Sequence, residues 1–166
     1  MNLQISNKAR AISPSPTLAI DSKFKQMKKQ GIPVVGFGAG EPDFNTPDHV
    51  KAAGIRAIEN NFTRYTPASG TLELKQAICD KVLRDTGLTY TTANVIVCNG
   101  GKHALTNIFM AILNPGDEVL IPAPYWVSYP EMVKMADGVP VYIETAEENQ
   151  FKFTMDQLEA ACTDKT

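Results

Sequence analysis

The feature that most constrains this chain is an alternation of apolar segments in its second half. Val95–Cys98 is a β-branched run, the apolar residues of 105–112 recur at helical spacing, and 119–121 and 139–143 are again short apolar runs. Asn114-Pro115-Gly116 is a stop signal between the helix and the strand that follows it. This strand-helix-strand order predicts an α/β fold, in which helices pack on the faces of a parallel sheet.

The pattern before and after this region predicts further elements. Gly31 and Gly87 are placed to end two of the helices, and Thr46, ahead of a proline, is expected to be the N-cap of another. A last helix is expected from about Thr154. The other predicted elements are helices over 18–30, 47–60 and 71–86 and a strand over Ile32–Phe37.

Charge and cysteine content exclude several classes of protein. The net charge of −2 over 166 residues gives no basis for binding nucleic acid or an anionic membrane. No segment approaches the roughly 18 apolar residues needed to span a bilayer, and the N-terminus lacks the apolar core of a signal peptide. Cys79, Cys98 and Cys162 are odd in number and widely spaced, so neither a disulfide framework nor a zinc site is expected. A cytoplasmic protein with reduced thiols is predicted.

The first glycine-rich segment, 36–41, follows a predicted strand. It is not a dinucleotide fingerprint, because Glu41 stands where the third glycine is required and Pro42 delays the helix. Two interpretations stay open. The segment is a tight turn, or Gly40 allows backbone groups to approach a small ligand.

The second glycine-rich segment is Asn99-Gly100-Gly101-Lys102, between a predicted strand and a predicted helix. It is not a Walker A loop, since His103 follows the lysine in place of Ser or Thr. Unpaired amides at a helix start and two glycines would suit a phosphate. A structural turn is the alternative, and the position after a parallel strand favours the phosphate cradle.

The third segment, Pro122–Pro130, also follows a strand and holds Trp126, the single tryptophan of the chain. Aromatic residues among prolines are typical of a packing corner. The alternative is that the indole stacks on a planar ligand whose phosphate the neighbouring cradle holds. His49 and His103 lack partners at metal-ligand spacing, so structural or surface roles and no metal site are expected.

These motifs occur together in an order and spacing that resembles the fold-type I, class I/II aminotransferases. The motifs that carry this resemblance are Gly40-Glu41-Pro42-Asp43-Phe44, the loop 65–70, Gly100-Gly101-Lys102 and the run 124–130. They are most similar to those of the bacterial aspartate aminotransferase subgroup. The resemblance covers almost the whole chain. It implies an N-terminal arm and helix over 1–45 and, over 46–166, the first part of a large domain that binds pyridoxal 5′-phosphate.

The resemblance also implies which residues hold the cofactor. The backbone amides of Gly100, Gly101 and Lys102 would bind its phosphate, and Trp126 would stack on its pyridine ring. Tyr65 would reach the cofactor phosphate of the other subunit in a homodimer.

Substrate contacts are implied in the same way. Gly40 would meet the α-carboxylate through a main-chain group, and Trp126 would border the substrate. Lys102 and a hydroxyl of the Ser15–Thr17 segment, Thr17 being chosen, would meet a distal carboxylate. Aspartate with 2-oxoglutarate is therefore the expected substrate pair, transferred in a ping-pong cycle.

The resemblance places the covalent chemistry outside this chain. No lysine here takes the place of the Schiff-base lysine, and the family's ring-nitrogen aspartate and carboxylate-binding arginine also come later. The chain is thus expected to be the N-terminal part of an aminotransferase, inactive alone and prone to associate through an unpaired sheet edge. The alternatives are a non-catalytic phosphate-binding or interaction module, a related pyridoxal-phosphate lyase, and an aminotransferase of aromatic or branched substrates.

Overall fold

The computed structural model describes residues 4–38 and 40–166, which form two compact units. Ala39 of the glycine-rich segment and residues 1–3 of the predicted arm lie outside the described residues. The predicted division between residues 45 and 46 stays a prediction. The first unit, residues 4–38 and 99–166, contains α1 (Asn7–Ala11), α2 (Pro16–Lys29), α5 (Gly101–Ile112), β1 (Glu118–Pro122), α6 (Ser128–Met135), β2 (Val139–Ile143) and α7 (Met155–Ala161). The second unit, residues 40–98, contains α3 (Asp48–Glu59) and α4 (Leu72–Thr86).

The sheet of the first unit is a parallel pair. β1 pairs with β2 in a register that sets Glu118 opposite Val139 and Pro122 opposite Ile143. Because parallel neighbours need a crossover, the chain passes through α6 between the two strands. The predicted α/β class, with a parallel sheet and flanking helices, is confirmed, and β2 has the predicted bounds.

The core of the first unit lies where α6 covers this sheet. Val133 of α6 is fully buried, and Ile121 of β1 and Ile143 of β2 are each at most 5% exposed. Gly138, between α6 and β2, lets the backbone approach this core closely. A Cβ added there would lie 2.8 Å from Leu113 Cδ1 and 3.0 Å from Val133 Cγ1.

The second unit is built on capped helices. The Thr71 hydroxyl accepts from Leu74 N–H at the start of α4, and Gly87 ends that helix with φ +75°, as predicted. Gly70 precedes the helix with φ +100°, and a Cβ there would lie 2.6 Å from Val97 Cγ2. Only glycine satisfies both the dihedral and the contact.

Two predicted strands are wrong. Neither Ile32–Phe37 nor Val95–Cys98 joins a β-ladder within the described residues. Val97 N–H donates to Ser69 O at 3.0 Å, which is a loop contact. A strand requires a neighbour to pair with, whereas Phe37 and Ile96 expose 94% and 73% of their surface.

The predicted cap of α3 is also wrong. Pro47, not Thr46, is the N-cap, and the Pro47 carbonyl accepts from Val50 N–H and Lys51 N–H. Proline already has the φ of the helix entry, so the boundary lies one residue later than the hydroxyl cap predicts. Helix α1 and the 3₁₀ turns Thr92–Asn94 and Glu147–Asn149 were not predicted.

The N-terminal segment is fixed to α6 and to the turn that follows it by polar contacts. Lys8 pairs with Asp137 at 2.8 Å, and Ser13 N–H donates to Glu131 Oε2 at 3.0 Å. Glu131 also accepts from Lys134 at 3.0 Å. Burial raises the pKa of Glu131, but the hydrogen bonds from Ser13 and Lys134 outweigh it and leave the pKa below its ordinary value.

Gly138→Ala tests the close packing of the sheet against α6. The added methyl group would press on Leu113 and Val133, so the free energy of unfolding should fall by about 1–3 kcal/mol. Gly54→Ala is the control, because its Cβ would meet nothing within 4 Å and a helical position should gain about 0.5–1 kcal/mol. Equal changes in the free energy of unfolding for Gly138→Ala and Gly54→Ala, measured by denaturant unfolding, would contradict this packing.

Glu131→Gln tests the fixation of the N-terminal segment. A carboxyl whose pKa is lowered in the folded state stabilises it above the unfolded-state pKa, and this contribution disappears as pH falls through the folded-state pKa. Wild type should therefore exceed the variant in stability near neutral pH and match it in strong acid. Glu148→Gln, at an exposed turn, should show no such convergence. A wild-type advantage that is independent of pH would refute the interpretation.

Candidate anion-binding site at the start of α5

The turn before α5 has a backbone that requires glycine. Gly100 is the N-cap, with φ 88° and ψ 167°. Ala104 N–H donates to Gly100 O at 3.2 Å and makes the first hydrogen bond of the helix. The N–H groups of Gly101, Lys102 and His103 therefore have no helix carbonyl one turn earlier to donate to.

This helix start fits an anion. A Cβ at Gly100 or Gly101 would meet nothing within 4 Å, so the space beside the amides is open. α5 is 12 residues long, and its N-terminus carries the positive end of the helix dipole. Unpaired donors, open space and partial positive charge are the features of phosphate sites at helix starts.

Trp126 lies close to this helix start. It occupies the segment between β1 and α6 and exposes 47% of its surface. The Nζ of Lys102 lies over its ring, 5.4 Å from the centroid, within the range of a cation–π contact. The structure thus brings Lys102 and Trp126 together, as predicted for the second and third segments, although the run Val95–Cys98 before Lys102 is not a strand.

The residue before Trp126 attaches this segment to the sheet. Tyr125 stacks on Tyr142 of β2, with centroids 5.1 Å apart and planes 15° apart. The hydrogen bond with Tyr142 raises the pKa of the Tyr125 hydroxyl, and burial acts in the same direction. Tyr129 N–H donates to Trp126 O at 3.0 Å where α6 begins. The chain is therefore held on both sides of Trp126, by the Tyr125 side chain and by the backbone hydrogen bond at the start of α6.

His103 has a contact that sequence reasoning did not find. Its Nδ1 accepts from Asn99 N–H at 3.0 Å. His103 is the third helical residue after the glycine N-cap, and an acceptor at that position is able to reach back to the turn. The spacing from the N-cap was the signal available in the sequence.

The remaining predicted site residues lie in α2 and in the second unit. Thr17 is the second residue of α2 and is half-buried, while the hydroxyl of Ser15 caps that helix by accepting from Leu18 N–H. Gly40 and Tyr65 belong to the second unit, where Gly40 is exposed and Tyr65 fully so. Their contribution to a shared site stays a prediction.

Neither a metal-ligand cluster nor a membrane-spanning helix occurs among the described residues. In the described part of the chain, no group of three or more His, Cys, Asp or Glu side chains is placed to hold a metal ion. Across residues 4–38 and 40–166, no helix has both the length and the apolar character that crossing a membrane requires.

Comparison with known proteins gives one consistent family. The sequence profile of "Aminotransferase class I and II" matches residues 32–166. The aspartate aminotransferase of Bacillus sp. (strain YM-2) is 54% identical over 98% of this chain and 41% of its own length. The aspartate/prephenate aminotransferase of Nitrosomonas europaea is 49% identical over 99% of this chain and 41% of its own length.

Solved structures agree with the sequence comparison. The structure of aspartate aminotransferase from Thermus thermophilus with maleate superposes with a TM-score of 0.94 at 45% identity, covering 99% of this chain and 43% of that one. The chain thus spans about two fifths of the length of the relatives that it matches, and it corresponds to their N-terminal part.

Proposed function

This chain belongs to the class I and II aminotransferases, and on that premise we propose that its protein transfers an amino group between aspartate and a 2-oxo acid with pyridoxal 5′-phosphate as cofactor. The observation that carries the proposal is the meeting of Lys102 and the Trp126 ring, 5.4 Å apart, at an open helix start. It offers a planar surface, a cation and free backbone donors in one place.

The residues at the start of α5 fit the cofactor's phosphate. We assign the phosphate to the amides of Gly100, Gly101 and Lys102, where open space and the helix dipole favour an anion. Trp126 is assigned to the pyridine ring, since its half-exposed indole offers a flat stacking surface.

When bound, pyridoxal phosphate supplies an electron sink for the carbon that loses its proton. In this proposal the residues of this chain bind and orient the cofactor and the substrate. They do not form the covalent bond to the cofactor. The lysine that bonds the cofactor, the aspartate at its ring nitrogen and the arginine for the substrate α-carboxylate are proposed to lie outside residues 1–166. Residues 1–166 alone should therefore be inactive.

A dicarboxylic substrate is supported by the charge of the site. The Lys102 ammonium stands at the helix start beside Trp126 and is suited to a distal carboxylate, with the Thr17 hydroxyl as its proposed partner. Maleate, the ligand named for the Thermus structure, is a dicarboxylate. Prephenate is a second candidate amino acceptor, because the Nitrosomonas relative is named for both substrates.

The other roles come from the second unit. Gly40 is proposed to bind the substrate α-carboxylate through its backbone, and its exposure leaves that backbone accessible. Tyr65 exposes its whole side chain, which suits a proposed contact with the cofactor phosphate of a second subunit in a homodimer. We also propose that the protein is located in the cytoplasm.

Gly101→Asp tests the phosphate assignment in the full-length protein. A carboxylate in the first turn would repel the phosphate dianion, so affinity for pyridoxal phosphate should fall by roughly tenfold or more in an absorbance titration. Gly54→Asp is the matched control, because it is also a helical glycine with open space around its Cβ. Unchanged affinity in Gly101→Asp would favour a different cradle or a non-catalytic module.

Lys102→Met tests the distal carboxylate assignment. The variant keeps the backbone amide but loses the ammonium group, so kcat/KM for aspartate should fall by roughly tenfold more than kcat/KM for alanine. Cofactor affinity, measured in parallel, should change little. An equal loss for both amino acids would show that Lys102 does not select the distal carboxylate.

A further inference from the structure

The side chain of His103 closes the turn that leads into α5. Asn99 N–H lies 3.0 Å from His103 Nδ1. A backbone N–H only donates, so Nδ1 presents its lone pair and the proton of the neutral ring is on Nε2. The imidazole is therefore a neutral acceptor for the turn.

The position of His103 explains why this contact matters. Gly100 is the N-cap and has no side chain with which to cap the first turn. His103 is the third helical residue, the position from which a Glu or Gln side chain reaches back to the N-cap N–H in a capping box. Here an imidazole reaches one residue further back, to Asn99.

Two hydrogen bonds thus lie on either side of Gly100 in the cradle. The His103–Asn99 bond lies on one side of Gly100, and the bond from Ala104 N–H to Gly100 O lies on the other. Between them Gly100 holds φ 88°, a conformation that a glycine adopts at a cost in backbone entropy. Fixing both sides aligns the amides of Gly100 and Gly101 before an anion arrives.

We propose that His103 is a positioning residue for the anion cradle, with Nδ1 fixing the turn that orients the amides of Gly100, Gly101 and Lys102. The inference rests on the proposed function, because it takes that cradle to be the phosphate site. It adds a residue that contacts neither cofactor nor substrate.

The chemistry of the acceptor supports this role. A glutamate in the same place would accept a backbone N–H, but its negative charge would stand in the first turn beside a bound anion. A neutral imidazole supplies the acceptor without that repulsion. The cradle therefore needs an acceptor at position 103 that carries no negative charge.

Three variants of the full-length apoprotein separate these requirements. His103→Asn places a neutral acceptor, Oδ1, where Nδ1 lies. His103→Asp places a charged acceptor there, and His103→Leu removes the acceptor. Sulfate is the probe, titrated by calorimetry near neutral pH, because its charge does not change there as that of phosphate does.

His103→Asn should bind sulfate as the wild type does, and His103→Leu about fivefold more weakly. His103→Asp should bind roughly tenfold more weakly or worse, because the charge opposes the anion. Hydrogen exchange of the Asn99 backbone N–H should be slow in the wild type, in His103→Asn and in His103→Asp. It should be fast in His103→Leu. Melting temperatures of all four proteins separate loss of folding from loss of positioning.

The outcomes distinguish this inference from the proposed function. If Gly101→Asp abolishes sulfate binding but His103→Leu binds like wild type with a fast-exchanging Asn99 amide, the cradle stands and the role of His103 is refuted. If His103→Asn fails to restore the affinity lost in His103→Leu, the role is refuted as well. If Gly101→Asp leaves sulfate binding unchanged, the cradle itself is wrong and the role of His103 is refuted with it.

Discussion

The packing of α6 against the parallel pair β1 and β2 is the interaction on which the rest of the first unit depends. Val133 is fully buried there, with Ile121 and Ile143 beneath it. The crossover through α6 connects the two strands, and the end of β1 leads directly into the segment that holds Trp126. The position of Trp126 in the candidate site therefore follows from how the sheet buries its apolar face.

Electrostatics at the start of α5 supplies the second half of the site. A glycine N-cap leaves the first amides free and the space beside them open, which a capping side chain would otherwise occupy. His103 Nδ1 accepts from Asn99 N–H in this turn without adding a negative charge. The free amides, the open space and the half-exposed indole suit an anion with a flat ring attached. The Lys102 ammonium, which lies over the indole, suits a second anionic group beside it.

Local sequence signals predicted the elements whose causes are local. The apolar run 139–143 and the capped helix that ends at Gly87 form where expected, because strand propensity, hydroxyl caps and left-handed glycines act within a few residues. The runs at 32–37 and 95–98 have the same apolar character, yet they lack a pairing neighbour in the described residues. Periodicity reports which side chains suit a strand and does not report whether a partner exists.

The site shows the same division. Gly100, Gly101 and Trp126 were found from their place after predicted strands, although of these strands only β1 forms. The spacing of His103 from the glycine N-cap was also present in the sequence, but the bond to Asn99 was not inferred from it. Residue chemistry left Gly40 open between a turn and a ligand contact, and Tyr65 was assigned only through the family resemblance; both lie in the second unit. Residue chemistry favoured a phosphate cradle over a structural turn, and the family resemblance was needed to name the cofactor.

The most direct test of the account is to map the pyridoxyl group after borohydride reduction of the protein purified from its natural source. Reduction fixes pyridoxal phosphate to the lysine that holds it, and peptide mass mapping locates that lysine. The account predicts one pyridoxyl group, on a lysine outside residues 1–166, in a protein that contains this chain. Absence of a pyridoxyl group, or its attachment to a lysine within residues 1–166, would contradict it.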